Sequence, residues 1–273
     1  MSLDALLDQA AGTPVTFLTG AGISAPSGIP TFRGEGGFWT VGSTVYRAQE
    51  LATLAHFKRD PWDVWAWYLY RKATCDKAQP NSAHFALANL ESRLGDRFHL
   101  VTQNVDGLHT RAGNRQDRIH EIHGSGRLMR CARHCTLDRF EIPDGIALPK
   151  AGQPVGADTQ ARLVCPNCGG MARPHILWFD EYYDETLYRS QSALQAVAAS
   201  GVLVTIGTSG ATSLPAYAMQ VANEMGAVVI DINPGNNPFR RNAERRKHGA
   251  WLDGDATAAV PDLCSRIAEK WGV

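Results

Sequence analysis

Four short apolar runs restrict this chain more than any other feature: Val15–Thr19, Phe98–Thr102, Val202–Ile206 and Ala227–Ile232. Each is rich in β-branched or aromatic residues and stops abruptly at small or polar ones, as strands buried on both faces do. The stops are Gly20-Ala21-Gly22-Ile23-Ser24-Ala25, Gln103-Asn104, Gly207-Thr208-Ser209 and Asn233-Pro234-Gly235. Helical patterns cover Ser82 to Leu94, Pro215 to Met225 and Thr257 to Trp271. Strands alternating with helices imply an α/β fold with a doubly wound, parallel, Rossmann-like sheet. Ligands of such sheets bind beyond the carboxyl ends of the strands, so the four polar stops are expected to line one crevice.

Two stretches break the rhythm. Pro30 to about Arg71 follows the first glycine-rich stop and carries Trp39, Trp62, Trp65 and Trp67, which suggests a loop and a helical insertion over the crevice. Arg127 to Met171 holds two cysteine pairs and a Pro/Gly-rich segment without helical period, which suggests a small metal-held module. The expected division is therefore 1–30, 80–126 and 172–273 for the sheet, 31–79 for the insertion and 127–171 for the module.

With 273 residues, 44% of them hydrophobic, the chain can bury a sizeable core. Its 27 basic and 27 acidic residues cancel, which argues against bulk attraction to nucleic acid or a membrane surface. No apolar run approaches the roughly 18 residues that span a bilayer. The amphipathic start, Met1 to Ala11, lacks the pattern of a secretory signal. The expectation is a soluble, cytoplasmic monomer.

Cys131 and Cys135 are separated by three residues, Cys165 and Cys168 by two, while Cys75 and Cys264 stand alone. Close pairs in a chain of this kind favour metal over disulfides. Four thiolates complete a tetrahedral structural zinc site with no open position for catalysis. His134, inside the longer spacer, competes with Cys135 as the fourth ligand in an alternative reading.

Taken alone, the glycine-rich stop after the first strand suits either a dinucleotide pyrophosphate or a tight turn. It does not stand alone. The run from Gly20 to Gly34, Thr102-Gln103-Asn104-Val105-Asp106-Gly107-Leu108-His109, His123-Gly124, Gly207-Thr208-Ser209 and Asn233 together resemble the sirtuin family in order and spacing, and the cysteine pairs fall where that family places its zinc ribbon. The resemblance covers nearly the whole chain.

The resemblance implies cleavage of the nicotinamide bond of NAD, capture of the sugar carbon by the acyl oxygen of a modified lysine, and transfer of the acyl group to the ribose. A base must then take a ribose hydroxyl proton, a task suited to a histidine that is neutral near the working pH. His123 matches the family's base. Asn104 and Asp106 match the residues that hold nicotinamide and its ribose, with Gln103 beside them; capping of the next helix is the plainer reading of that pair. Phe32 and Arg33 match a loop that closes over the cofactor. Gly20, Ala21, Gly22, Ile23, Gly207, Thr208, Ser209, Asn233 and Ala256 match positions around the phosphates, ribose and adenine.

Tyr68-Leu69-Tyr70-Arg71 looks like the Tyr-x-x-Arg motif of the branch that removes succinyl, malonyl or glutaryl groups. An arginine fork and a tyrosine hydroxyl, sharing a helix face at i and i+3, suit an acyl carboxylate. A packing tyrosine beside a solvent-facing arginine is the structural alternative. Trp178 and Phe179, within Arg173 to Glu181, resemble the same branch's substrate strand, where backbone groups pair with an extended peptide.

Three departures from the family pattern bear on substrate choice: Thr31 for aspartate, Asp180 for glycine, and a longer Gly207–Pro215 loop. Asp180 in particular is expected to repel an acidic acyl group if it faces the pocket. The competing functions are an NAD hydrolase or mono-ADP-ribosyltransferase on the same scaffold, and a non-catalytic NAD-binding module.

Overall fold

The computed structural model describes residues 1–31, 39–41, 44–46, 48–148 and 154–273, giving the backbone alone for those between 39 and 49. The expectations for Phe32 and Arg33 lie outside the described residues. Along the chain the strands are β1 (Val15–Thr19), β2 (Trp39–Val41), β3 (Thr44–Tyr46), β4 (Phe98–Thr102), β5 (Ile119–Glu121) and β6 (Gly124–Cys131). They continue with β7 (Arg139–Glu141), β8 (Ala172–Ile176), β9 (Val202–Ile206), β10 (Val228–Ile232) and β11 (Gly249–Leu252).

Six strands form a parallel sheet in the order β11-β10-β9-β1-β4-β5. From β1 the chain steps to β4 and β5 on one side, then returns to β9 on the other. The order therefore reverses between β1 and β9, and such reversals open a ligand crevice beyond the strand ends. Gly20 and Gly207, the residues that follow β1 and β9, stand at that point.

The period-2 geometry of a strand sends neighbouring residues to opposite faces. Phe17 joins the core packed under Ser82–Leu94 and Ala256–Trp271, whereas Leu18 joins the core under Ser190–Ala199 and Ser213–Glu224. Because both faces are covered, every residue of β1, β9 and β10 is buried. The buried threonines of β1 find side-chain partners: Thr16 Oγ1 lies 2.8 Å from Ser200 Oγ, and Thr19 Oγ1 donates to Thr102 Oγ1 at 2.8 Å.

The four expected strands and the three expected helices are all present, with ends displaced by at most a few residues. The edge strands β5 and β11 add to them.

A second, antiparallel sheet has the order β7-β6-β8. Its central strand β6 and outer strand β8 carry it beyond the cysteine-rich stretch at both ends, because β6 starts at Gly124 and β8 ends at Ile176. This sheet packs on the helix Pro61–Lys77 through Trp65, Tyr68, Met129, Ala172, Ile176 and Trp178. The Trp65 indole N–H donates to the Ala172 carbonyl at 3.0 Å. The two interruptions of the α/β rhythm are thus packed against one another. No helix among the described residues is long and apolar enough to cross a membrane.

Candidate active site

The loops after β1 and β9 interlock. Gly20 N–H donates to the Ile206 carbonyl at 2.9 Å and Gly22 N–H to the Gly207 carbonyl at 2.8 Å. A Cβ on Gly22 would fall 2.6 Å from Gly207 Cα, and one on Gly20 would fall 2.7 Å from Gly207 O. Gly207 itself has φ +58°, and a Cβ there would meet Gly22 backbone at 2.6 Å. Close approach of two loops therefore requires these glycines before any ligand does.

Beyond β4, the side chains that follow fasten this arrangement. Asn104 Nδ2 donates to the Gly20 carbonyl at 3.0 Å and to Ser24 Oγ at 3.2 Å. Ser24 Oγ donates in turn to Asp106 Oδ2 at 2.8 Å, while Asp106 Oδ1 accepts the Leu108 N–H at 2.9 Å at the start of helix Leu108–Ala112. Asp106 thus precedes the N-cap, Gly107, and holds the first N–H of that helix while facing the crevice network as well. Its burial pushes the carboxyl above the usual aspartate range, partly offset by the Leu108 and Ser24 hydrogen bonds. Gln103 Nε2 donates to Thr208 Oγ1 at 2.8 Å, and its Oε1 accepts from Thr212 Oγ1 at 3.1 Å.

His123 follows β5. Its Nδ1 lies 3.0 Å from the Gln103 carbonyl oxygen, which can only accept, so Nδ1 carries the proton and Nε2 keeps a lone pair. Tyr183 hydroxyl, 2.9 Å from Nε2, donates to that lone pair. Burial pushes the imidazole down to about 4, against a smaller opposite effect of the Gln103 bond, so the ring is neutral near pH 7. Sequence reasoning missed Tyr183: it stands 60 residues from His123, with no local spacing to signal the contact.

On the far side of the crevice, Asn233 Nδ2 donates to Asp231 Oδ1 at 2.7 Å and Trp251 Nε1 donates to the Asn233 carbonyl at 3.0 Å. The buried Asp231 also accepts from Thr205 Oγ1 at 2.6 Å and Asn237 Nδ2 at 2.9 Å. Asp231, another residue the sequence reading did not single out, is the node that fixes Asn233. Ala256 is buried at the first position of helix Ala256–Trp271, whose N-terminus Asp255 caps.

Tyr68 and Arg71 share the buried face of helix Pro61–Lys77, so Arg71 is not solvent-facing. Together with Cys75, Val105, Asp106 and Gly126 they line a cleft beside the crevice. Burial lowers the Arg71 pKa, opposed by Tyr68, Cys75 and Asp106. Tyr68 hydroxyl accepts the Trp178 indole N–H at 3.0 Å, and the Arg71 guanidinium lies 5.0 Å from the Trp67 ring centroid. Trp178 is buried, whereas Phe179 is 54% exposed. Arg173 of β8 pairs bidentately with Glu181 at 2.6 and 2.7 Å and stacks 3.5 Å over Trp178. This locks the turn that presents Phe179 and Tyr183.

Asp180 points away from the cleft. Its carboxylate accepts the N–H groups of Leu54 and Ala55, at 2.6 and 3.0 Å, at the start of helix Leu54–Arg59. The expected repulsion of an acidic acyl group is therefore removed, because the charge is held by a helix N-terminus.

The four cysteine sulfurs of Cys131, Cys135, Cys165 and Cys168 lie within 4.8 Å of one another, with Cys131–Cys168 at 3.7 Å and Cys135–Cys165 at 3.5 Å. Zinc–sulfur bonds of about 2.3 Å place tetrahedral sulfurs about 3.8 Å apart, so the donor set fits zinc. The extra spacer residue is absorbed at His134, which adopts φ +54°. The His134 ring lies against the Arg130 guanidinium at 3.3 Å and is not among the clustered ligands, which sets aside its candidacy as one. Asn104, Asp106 and the neutral His123 converge at the reversal point, where helix Ser213–Glu224 begins without a side-chain cap. That suits a pyridine nucleotide, with amide, carboxyl and hydroxyl partners gathered beside the glycine-rich loops after β1 and β9.

The fold and this constellation define a class of zinc-ribbon Rossmann proteins. A family model described as "Sir2 family" matches residues 20–213, and the chain belongs to the Sir2 family. It is 36% identical over 256 residues to an NAD-dependent protein deacylase of Leptospira interrogans, covering 94% of each chain. It is 40% identical over 257 residues to NAD-dependent protein deacylase 2 of Pyrobaculum aerophilum, covering 92% of this chain and 90% of the relative. Among solved structures, a Sir2 homologue–NAD complex superposes with TM-score 0.78 at 34% identity over 99% of this chain and 96% of that one. A Sir2–p53 peptide–NAD complex gives TM-score 0.73 at 25% identity over 100% of this chain and 99% of that one.

Proposed function

We propose that this chain is an NAD-dependent protein-lysine deacylase, and that it acts on acetyl and acidic acyl groups. The observation that carries this reading is the state of His123, with Nδ1 committed to the Gln103 carbonyl and Nε2 left as a neutral proton acceptor at the reversal point. NAD, when bound, supplies a ribosyl carbon that parts from nicotinamide and ribose hydroxyls that receive the acyl group. His123 accepts a ribose hydroxyl proton at Nε2. Asn104 and Asp106 orient the nicotinamide and ribose end, and the Ser24 bond keeps the two in register. Gly20, Ala21, Gly22, Ile23, Gln103, Gly207, Thr208, Ser209, Asn233 and Ala256 form the remaining cofactor surface. The zinc bound by the four cysteines holds the second sheet and takes no part in the chemistry.

Tyr68 and Arg71 select the acyl group. Arg71 is buried in the cleft beside Asp106, and its guanidinium suits a succinyl or malonyl carboxylate. Trp178 and Phe179 border the lysine channel and the peptide. The expected monomeric state and cytoplasmic location belong to the same reading, supported by the balanced charge and a thiolate metal site that suits a reducing compartment.

The test is incubation with NAD and matched acetyl-, succinyl- and malonyl-lysine peptides, with deacylated peptide and acyl-ADP-ribose quantified by mass spectrometry. Turnover should fall by about 10²–10⁴ in His123→Ala, and Arg71→Met should lose the acidic acyl peptides selectively. Consumption of NAD without deacylated peptide would move the assignment to an NAD hydrolase or ADP-ribosyltransferase. Equal loss of all acyl peptides in Arg71→Met would end the acyl-selection role.

A further inference from the structure

His123 has one nitrogen with which to accept a proton, and in this structure that nitrogen is already engaged. Nδ1 donates to the Gln103 carbonyl at 3.0 Å, so the whole accepting capacity of the ring lies at Nε2, where the Tyr183 hydroxyl donates at 2.9 Å. An sp² ring nitrogen has a single in-plane lone pair and takes one strong hydrogen bond. A substrate hydroxyl and the Tyr183 hydroxyl therefore compete for the same position.

Tyr183 is firmly placed. The phenol also contacts the Thr212 side chain, at the end of the loop after β9, and the Leu214 backbone in the first turn of helix Ser213–Glu224, and Thr212 in turn donates to Gln103 Oε1 at 3.1 Å. The Tyr183 ring lies 5.9 Å from the His123 ring, centroid to centroid. Its segment is anchored from the other side by the Glu181 carboxylate on Arg173 and the Trp178 N–H. The peptide-side segment, the base and the cofactor-side loop thus meet at one hydroxyl.

We propose that Tyr183 is a positioning residue that latches His123 in the unliganded protein, and that the ribose hydroxyl displaces it when cofactor and acyl peptide bind. This rests on the reading of His123 as the base. While latched, the imidazole is held in its neutral form and in the tautomer that chemistry needs, so the base is already prepared on displacement. Burial pushes the phenol up to about 12, so it stays protonated and does not replace the base. The downward shift of the ring itself comes from burial, against a smaller opposite effect of the Gln103 carbonyl.

The experiment is an NMR titration of the His123 ring in unliganded protein, beside pH profiles of kcat/KM and kcat, for wild type, Tyr183→Phe and Thr212→Val. The Tyr183 bond exists only to neutral His123, so its removal must raise the titration midpoint. Tyr183→Phe should shift it upward by roughly half to one pH unit, and the acid limb of kcat/KM, which reports the free enzyme, should follow. The acid limb of kcat, which reports the complex, should stay in place. Thr212→Val, which loosens the phenol without removing it, should give a smaller shift of the same sign. An unchanged midpoint in unliganded Tyr183→Phe would overturn the latch. A shift equally present in the kcat profile would overturn displacement, since Tyr183 would then remain on the base in the complex. The titration needs no turnover, so absence of deacylation would sink the functional reading while leaving the latch measurable.

Discussion

In the six-stranded sheet, β1, β9 and β10 are buried at every residue, while in the three-stranded sheet β7 exposes two of its three residues and two of the four cysteines reach solvent. The first is covered on both faces by helices and is stabilised by apolar burial, at roughly 25 cal/mol per Å² removed from water. The second packs one face on helix Pro61–Lys77, and its cysteine-bearing end is held by the cysteine cluster together with the Ala132 N–H bond to the Met171 carbonyl at 3.1 Å. Burial tolerates gradual damage; a ligand set does not. The two sheets should therefore fail in different ways, although they share one chain.

The largest effect is expected from the metal. Structural zinc contributes on the order of 10 kcal/mol to small zinc-dependent modules, so chelation or Cys165→Ser should collapse the second sheet. Hydrogen exchange should show lost protection in β6, β7 and β8 with retained protection in β1, β9 and β10. Simultaneous loss in both sheets would break the comparison. Next in size is the apolar core: Phe17→Ala, which removes a buried ring stacked 5.2 Å from Phe98, should lower global stability by about 3–5 kcal/mol in urea unfolding. Metal content should be unchanged.

Acid gives a third, smaller separation. His84 is fully buried beside the sheet, and burial pushes it down to about 4. Its folded pKa lies below the unfolded value near 6.5, so the unfolded chain binds the proton first, and stability falls as pH drops from about 6.5 to about 4. The loss is at most about 3 kcal/mol by pH 4. His84→Gln should reduce the fall of urea midpoints between pH 7 and pH 5 by the share of one histidine, with His109, His120, His123 and His175 still contributing. Acid also protonates the zinc thiolates, so the difference between variant and wild type is the quantity that reports the sheet. The smallest effect belongs to a contact between the regions: Asp180→Ala should cost about 1 kcal/mol, through the lost bonds to the Leu54 and Ala55 N–H groups, while the Thr53 cap of helix Leu54–Arg59 remains. If acyl selectivity shifts toward acidic groups in that variant, Asp180 acts on the cleft after all.

The central strands were legible in the sequence because burial on both faces leaves continuous apolar runs, and their stops marked the crevice. Edge strands β5 and β11 were not, since three or four residues with partial burial establish no period. The cysteine cluster could be read from spacing, although the left-handed His134 that accommodates its longer spacer could not. Asn104, Asp106 and His123 were singled out through resemblance, while Tyr183, Asp231 and the hydrogen bonds of Asp180 depend on contacts between distant segments. The glycines were found for an incomplete reason: the sequence suggested room for a phosphate, and the structure adds the approach of two loops.

That interlock has a consequence for change over generations. Gly20, Gly22 and Gly207 constitute one shared constraint, because a side chain on any of them strikes backbone of the opposite loop. A single replacement at these positions is deleterious whatever its partner residues are, and a second replacement across the contact enlarges the clash instead of relieving it. Selection for altered cofactor use, in nature or in a library, is therefore confined to neighbours such as the partly exposed Ala21 and the exposed Ser209, with the three glycines inherited as a block.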